Sequence, residues 1–137
     1  MKRLRAIRRQ LVEDGASEAP KAYVAGPMRG IPEYNAPAFA AATERLRAAG
    51  FDVFSPSEED IALGIQAPPT GRTRKALRQF PIGADLKFIA EGDVVFLLEG
   101  WERSEGAQLE AYVARYLGVP LYTYPEGKEV AHVYARV

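Results

Sequence analysis

Residues 92–100 read Gly-Asp-Val-Val-Phe-Leu-Leu-Glu-Gly, five consecutive bulky apolar side chains with a turn signal on either side. A run this short, without polar alternation, fits a strand covered on both faces, as strands inside a parallel sheet are. Three other segments have strand character: "KAYVAG" from Lys21, "FDVFSP" closed by Pro56, and "VPLYTY" from Val119. Helical patterns separate them. The spacing predicts a helix from about Asn35 to Ala49, with Phe39, Ala42, Leu46 and Ala49 on its buried stripe and Gly50 as its stop. A second helix lies in "PIGADLKFIAEGD", and a third in "SEGAQLEAYVARYLG", capped by Ser104 and ended by Gly118. The alternation predicts an α/β fold: a doubly wound, mainly parallel sheet of flavodoxin or Rossmann type, ordered 2-1-3-4, with room for an edge strand and helices on both faces.

With 137 residues and 47% apolar content, the chain has material for one core, placed here at residues 21–137. Residues 1–20 form an amphipathic helix, with Leu4, Ile7 and Leu11 on one face, and a linker; they read as an appendage to that domain. Its cations Lys2, Arg3, Arg5, Arg8 and Arg9 read as a solvated face. Eighteen basic residues balance eighteen acidic ones, so broad capture of nucleic acid or of an anionic membrane is disfavoured. The absence of cysteine excludes disulfides, thiolate metal sites and cysteine catalysis, and the single His132 builds no histidine cluster. No metal or cofactor is expected. Without a membrane-length apolar run or a secretory leader, the chain is expected in the cytoplasm.

In such sheets ligands bind beyond the carboxyl ends of the strands where the strand order reverses, here between the loops after strands one and three. The segments concerned are "GPMRGIPEYN" and "EGWERSEG". The irregular stretch from Ser57 to Phe80 carries Arg72, Arg74, Lys75 and Arg78, and reads equally as a basic lid or a solvated loop. Two carboxylates are unusual in position. Asp85 shares a helix face with Ile82 and Ile89, where an ionised group loses hydration and needs a partner or a task. Glu110 follows strand three within two turns of a helix start, at the boundary between a bulky stripe (Leu109, Tyr112, Val113, Tyr116, Leu117) and a face of small residues (Ala107, Ala111, Ala114, Gly118). The helix dipole there favours the ionised form that a nucleophile requires.

The order and spacing of "YVAGPMRG", of an Asp in the helix before "GDVVFLL", and of the Ser, Gly and Glu in "SEGAQLE" resemble the nucleoside 2-deoxyribosyltransferase superfamily. The resemblance covers residues 21 to 122 and is strongest to its deoxynucleoside 5′-monophosphate N-glycosidase branch. It implies the doubly wound fold and attack at C1′ of a 2-deoxyribosyl group. Glu110 matches the nucleophile and Asp85 the carboxylate that assists the leaving base. Tyr23, Gly26, Pro27, Met28, Arg29 and Gly30 fall on the substrate-binding first strand and loop, and Ser104 and Gly106 on the second loop. A small-molecule nucleoside or nucleotide is the implied substrate, and a homodimer or larger homo-oligomer the implied assembly. The face of small residues on the last helix would let another helix approach closely.

Ser104 stands where the transferases carry an aspartate gripping the 5′-hydroxyl, and a serine at a helix N-terminus suits a 5′-phosphate better. Pro27 departs from the serine of the glycosidase branch, and no serine follows Ser104, although that branch takes one from a neighbouring subunit. Arg29 would contact a phosphate or stack on the base. Tyr34 would stack the base, Asn35 would read a base edge or cap its helix, and Trp101 suits packing slightly better than stacking. An enzyme acting on the N-glycosidic bond therefore competes with a nucleotide-binding module that has no turnover. Retention of both Asp85 and Glu110 favours the enzyme. A dinucleotide-binding oxidoreductase is rejected, because "GPMRGIPE" lacks the third glycine of the GxGxxG spacing.

Overall fold

The computed structural model describes residues 1–55 and 82–133. The stretch from Ser57 to Phe80, with its four cations, lies outside them. Four parallel strands, β1 (Lys21–Ala25), β2 (Asp52–Phe54), β3 (Val94–Leu97) and β4 (Leu121–Thr123), form one sheet in the order β2-β1-β3-β4, as the alternation predicts. Tyr23 is in register with both Phe54 and Val95, and Ala25 with Leu97. Beyond β4 the chain turns back, and Tyr122 makes one antiparallel bridge to Glu129.

Strand pleating sends alternate side chains to opposite faces and divides the core into two layers. Ala22, Val24, Val53, Val94, Phe96 and Leu98 face helices α1 (Lys2–Glu13) and α2 (Ala36–Ala48). Tyr23, Ala25, Val95, Leu97 and Leu121 face helices α3 (Ile82–Glu91) and α4 (Glu105–Leu117). All four β3 residues are buried, which accounts for its unbroken apolar run.

Helix α1, expected to be an appendage, lies in the first layer, where Leu4, Ile7 and Leu11 are all buried. Its cations have tasks: Arg8 grips the Glu18 carbonyl and carboxylate, at 2.6 and 3.2 Å from Nη2. Arg3 Nε donates to the Gly127 carbonyl at 2.9 Å, and its guanidinium lies 5.8 Å from the Tyr122 ring centre.

Helix α4 corrects one expectation. Its small face does not await another helix; it packs on the molecule's own sheet, with Ala107, Ala111 and Ala114 at 1% exposure or less. The bulky stripe points outward instead, with Leu109, Tyr112, Tyr116 and Leu117 all exposed. Ser104 accepts from the Ala107 amide at 3.2 Å, and Gly118 ends the helix at φ +79°, as the sequence predicts. Among the described residues, no helix is long and apolar enough to cross a membrane.

Two measurements test this packing. Ile7→Ala should lower unfolding stability by about 2–5 kcal/mol, as for a core aliphatic, whereas an appended helix would tolerate it within about 0.5 kcal/mol; urea denaturation distinguishes them. Burial first, and then the charge on Glu129, raises the Tyr122 phenol above its ordinary value. Above about pH 10 the unfolded chain therefore loses a proton that the folded chain keeps, and stability falls as pH rises through that window. Tyr122→Phe should flatten this alkaline fall in urea midpoints.

Candidate functional site

The loops after β1 and β3 meet where the strand order reverses. The Leu98 amide donates to the Ala25 carbonyl at 2.8 Å, extending the β1–β3 pairing one residue beyond the strands. Gly26 then passes directly over Leu98, where a Cβ would lie 2.8 Å from Leu98 Cβ. Real Cβ atoms do not come so close, so the position accepts only glycine without movement. Pro27 is buried beside Gly100, where an added Cβ would meet the proline ring at 3.3 Å and Arg103 Nη2 at 3.1 Å. The two loops are thus in van der Waals contact through Gly26, Pro27, Leu98 and Gly100.

The rest of the first loop is held from its far end. A 3₁₀ turn (Pro32–Asn35) precedes α2, so the helix begins one residue later than expected. Glu33, Tyr34 and Asn35 all have left-handed backbone, at φ 56°, 53° and 63°. Such conformations cost non-glycine residues roughly 1–3 kcal/mol each and persist where surroundings impose them. Asn35 occupies the N-cap position, but its Nδ2 donates instead to the Pro27 carbonyl at 2.9 Å, tying the loop's two ends together. Of the readings open for Asn35, the structure supplies a third, a brace within the loop. Met28 packs half-buried against the first layer, while Arg29, Gly30 and Tyr34 are exposed.

Beneath these loops the β1–α4 interface carries the polar pair. Tyr23 is 1% exposed in β1, and its hydroxyl donates to Glu110 Oε2 of α4. Glu110 is half-buried on the flank of that helix, at the edge of its alanine face. Phe54 stacks on Tyr23 at 5.7 Å between ring centres, and Phe88 of α3 stacks on Phe54 at 3.7 Å. This three-ring wall was not anticipated from sequence, since its members come from two strands and a helix. Asp85, in the first turn of α3, is 9% exposed, in keeping with its place on the Ile89 face. Helix α3 packs directly on α4, which carries Glu110.

The second loop is a short 3₁₀ turn (Trp101–Arg103) entered through Gly100 at φ 87°. Trp101 packs half-buried against the second layer, the packing alternative considered for it. Gly106 is exposed, with Ser104 Oγ, 4.0 Å away, the nearest atom an added Cβ would meet. Arg103, which sequence reasoning did not select, reaches back to Gly100 and is next to Ser104 in the chain. Gly26→Ala should destabilise the fold by about 1–3 kcal/mol through forced displacement of Leu98, read as a lower urea midpoint.

Residues 20–123 match the family described as "Domain of unknown function (DUF4406)". Among curated proteins, none matches the chain in sequence. The fold is similar to that of a 2-deoxyribosyltransferase from the psychrotolerant bacterium Bacillus psychrosaccharolyticus, with a TM-score of 0.55 and 24% identity over 75% of this chain and 70% of that one.

Proposed function

The chain belongs to this DUF4406 family, and we propose that it is an enzyme that hydrolyses or transfers the N-glycosidic bond of a 2-deoxynucleoside or its 5′-monophosphate. The observation that carries the reading is a buried phenol donating to a half-buried helix carboxylate, Tyr23 to Glu110, beneath the meeting point of the two loops. The shared fold of the Bacillus 2-deoxyribosyltransferase supports it.

In the proposed reaction a Glu110 carboxylate oxygen attacks C1′ as the bond to the nucleobase breaks, and the electron pair of that bond leaves with the base. Asp85, acting as the general acid, gives the departing base a proton. Water, or a second base, then attacks C1′ of the glycosyl ester, and Asp85 takes back the proton that this nucleophile loses. The ester bond breaks and Glu110 returns to its carboxylate form. Tyr23 positions the nucleophile. By donating to Oε2 it fixes the plane of the carboxylate that attacks.

The first loop and Ser104, with Gly106, would hold the substrate. Arg29 and Tyr34, both exposed on the first loop, would contact a phosphate or a nucleobase. Pro27, buried against Gly100, serves the contact between the loops. The proposed substrate class includes both the free nucleoside and the 5′-monophosphate.

Incubation with a panel of deoxynucleosides and their 5′-monophosphates, followed by chromatography of free base, is expected to show release from at least one. Glu110→Ala should abolish release while keeping the circular dichroism and melting of the parent. Tyr23→Phe should reduce kcat by roughly 10- to 100-fold, the loss expected when a hydrogen bond to a charged group is removed. A monophosphate that raises the melting temperature without any release of base would instead identify a binding module.

A further inference from the structure

Three consecutive residues with left-handed backbone, none of them glycine, lead into α2. Glu33, Tyr34 and Asn35 stand at φ 56°, 53° and 63°, in a region where the Cβ of an L-residue crowds the carbonyl oxygen that follows. The bonds within the turn do not account for the run. The Tyr34 amide donates to the Ile31 carbonyl at 3.0 Å and the Ala36 amide to that of Glu33, and an ordinary right-handed turn makes bonds of this spacing equally well. Backbone outliers of this kind gather where a ligand is gripped, and they persist only when something holds them.

The holding contact comes from Asn35, whose Nδ2 donates to the Pro27 carbonyl at 2.9 Å, eight residues back. That bond closes the first loop on itself and passes the constraint onward. Pro27 is buried against Gly100 of the second loop, which runs through the Trp101–Arg103 turn to Ser104, the cap of α4. Asn35 thus ties the start of α2 to the start of the helix that carries Glu110. Between its two anchors the loop presents Arg29, Gly30 and Tyr34 to solvent. The Asn35 amide itself faces a main-chain carbonyl and not the open side of the loop.

We infer that Asn35 is a positioning residue for substrate binding: its amide holds the strained run Glu33–Asn35 in place and so keeps the first loop in the one shape that receives the substrate. The inference rests on the proposed reading of this loop as part of a nucleoside or nucleotide site. Without the amide, the run relaxes toward right-handed or extended backbone, and only a fraction of molecules retains the receiving shape. Apparent affinity falls by that fraction. The chemical step is unaffected once substrate is held, because Glu110 and Asp85 lie on other elements.

Steady-state base release by the full chain, on whichever deoxynucleoside or 5′-monophosphate the parent accepts, tests it together with trypsin cleavage after the exposed Arg29. Asn35→Asp keeps the size and the tolerance of left-handed backbone but cannot donate. It should raise KM about tenfold, as for a receiving shape held one-tenth of the time, with kcat within about twofold, and should speed the cleavage. Left-handed backbone carries no steric cost for glycine, so Glu33→Gly alone should leave KM no higher than the parent's. Added to Asn35→Asp, it should recover most of the lost affinity and slow the cleavage again. If the parent binds without releasing base, the same ratios are read in Kd from melting shifts. Asn35→Asp with the parent's KM, or a double variant no better than Asn35→Asp, overturns the proposal, and the second result marks a direct contact of Asn35 with substrate. A parent that neither releases base from these compounds nor shifts its melting temperature with them overturns the functional reading, and the positioning role with it.

Discussion

The structure turns on how closely α4 approaches the sheet. Three alanines, Ala107, Ala111 and Ala114, form its inward face, and each is at most 1% exposed. Larger side chains would hold the helix farther out, since packed helix and sheet surfaces are separated by the side chains between them. At the observed separation a tyrosine rooted in β1 reaches a glutamate on the flank of the helix. The same choice sends the bulky residues of α4 to the outside. One packing decision therefore supplies both the polar pair within and the apolar stripe without.

Much of the architecture is legible in the sequence, and the reasons are local. β3 is read from five apolar residues because it is covered on both faces, and α4 from Ser104 and Gly118 because capping is written in adjacent residues. The parallel sheet follows from the alternation of strands and helices. What is not legible is which side of α4 faces inward. Periodicity separates a bulky face from a small one, and burial of bulk is the ordinary outcome, but the separation of helix and sheet is a tertiary quantity. The amphipathic face of α1 is visible for a similar local reason, while its destination against Val24 and Phe96 is not.

The candidate site divides along the same line. Asp85 is singled out by its place among apolar neighbours and Glu110 by its place at a helix start, both local signals. The Tyr23–Glu110 contact spans 87 residues and has no spacing to betray it. The aromatic wall of Tyr23, Phe54 and Phe88 arises from strand register and helix docking together. Asn35 is a lesson in chemical ambiguity. An asparagine ahead of a helix announces a cap, yet its amide is equally suited to bridging a loop once the backbone turns left-handed.

Arg3 and Gly127 are joined by a hydrogen bond although 124 residues separate them. The described chain is thereby drawn into a ring, with its first helix and the turn after its last strand sharing one junction beside Tyr122. Closing so long a loop carries a large entropic cost, and that cost is met only after most of the chain is in place. The junction should be among the last contacts made in folding. It also couples the two ends, so that fraying of either one opens the same seam and exposes the same apolar layer.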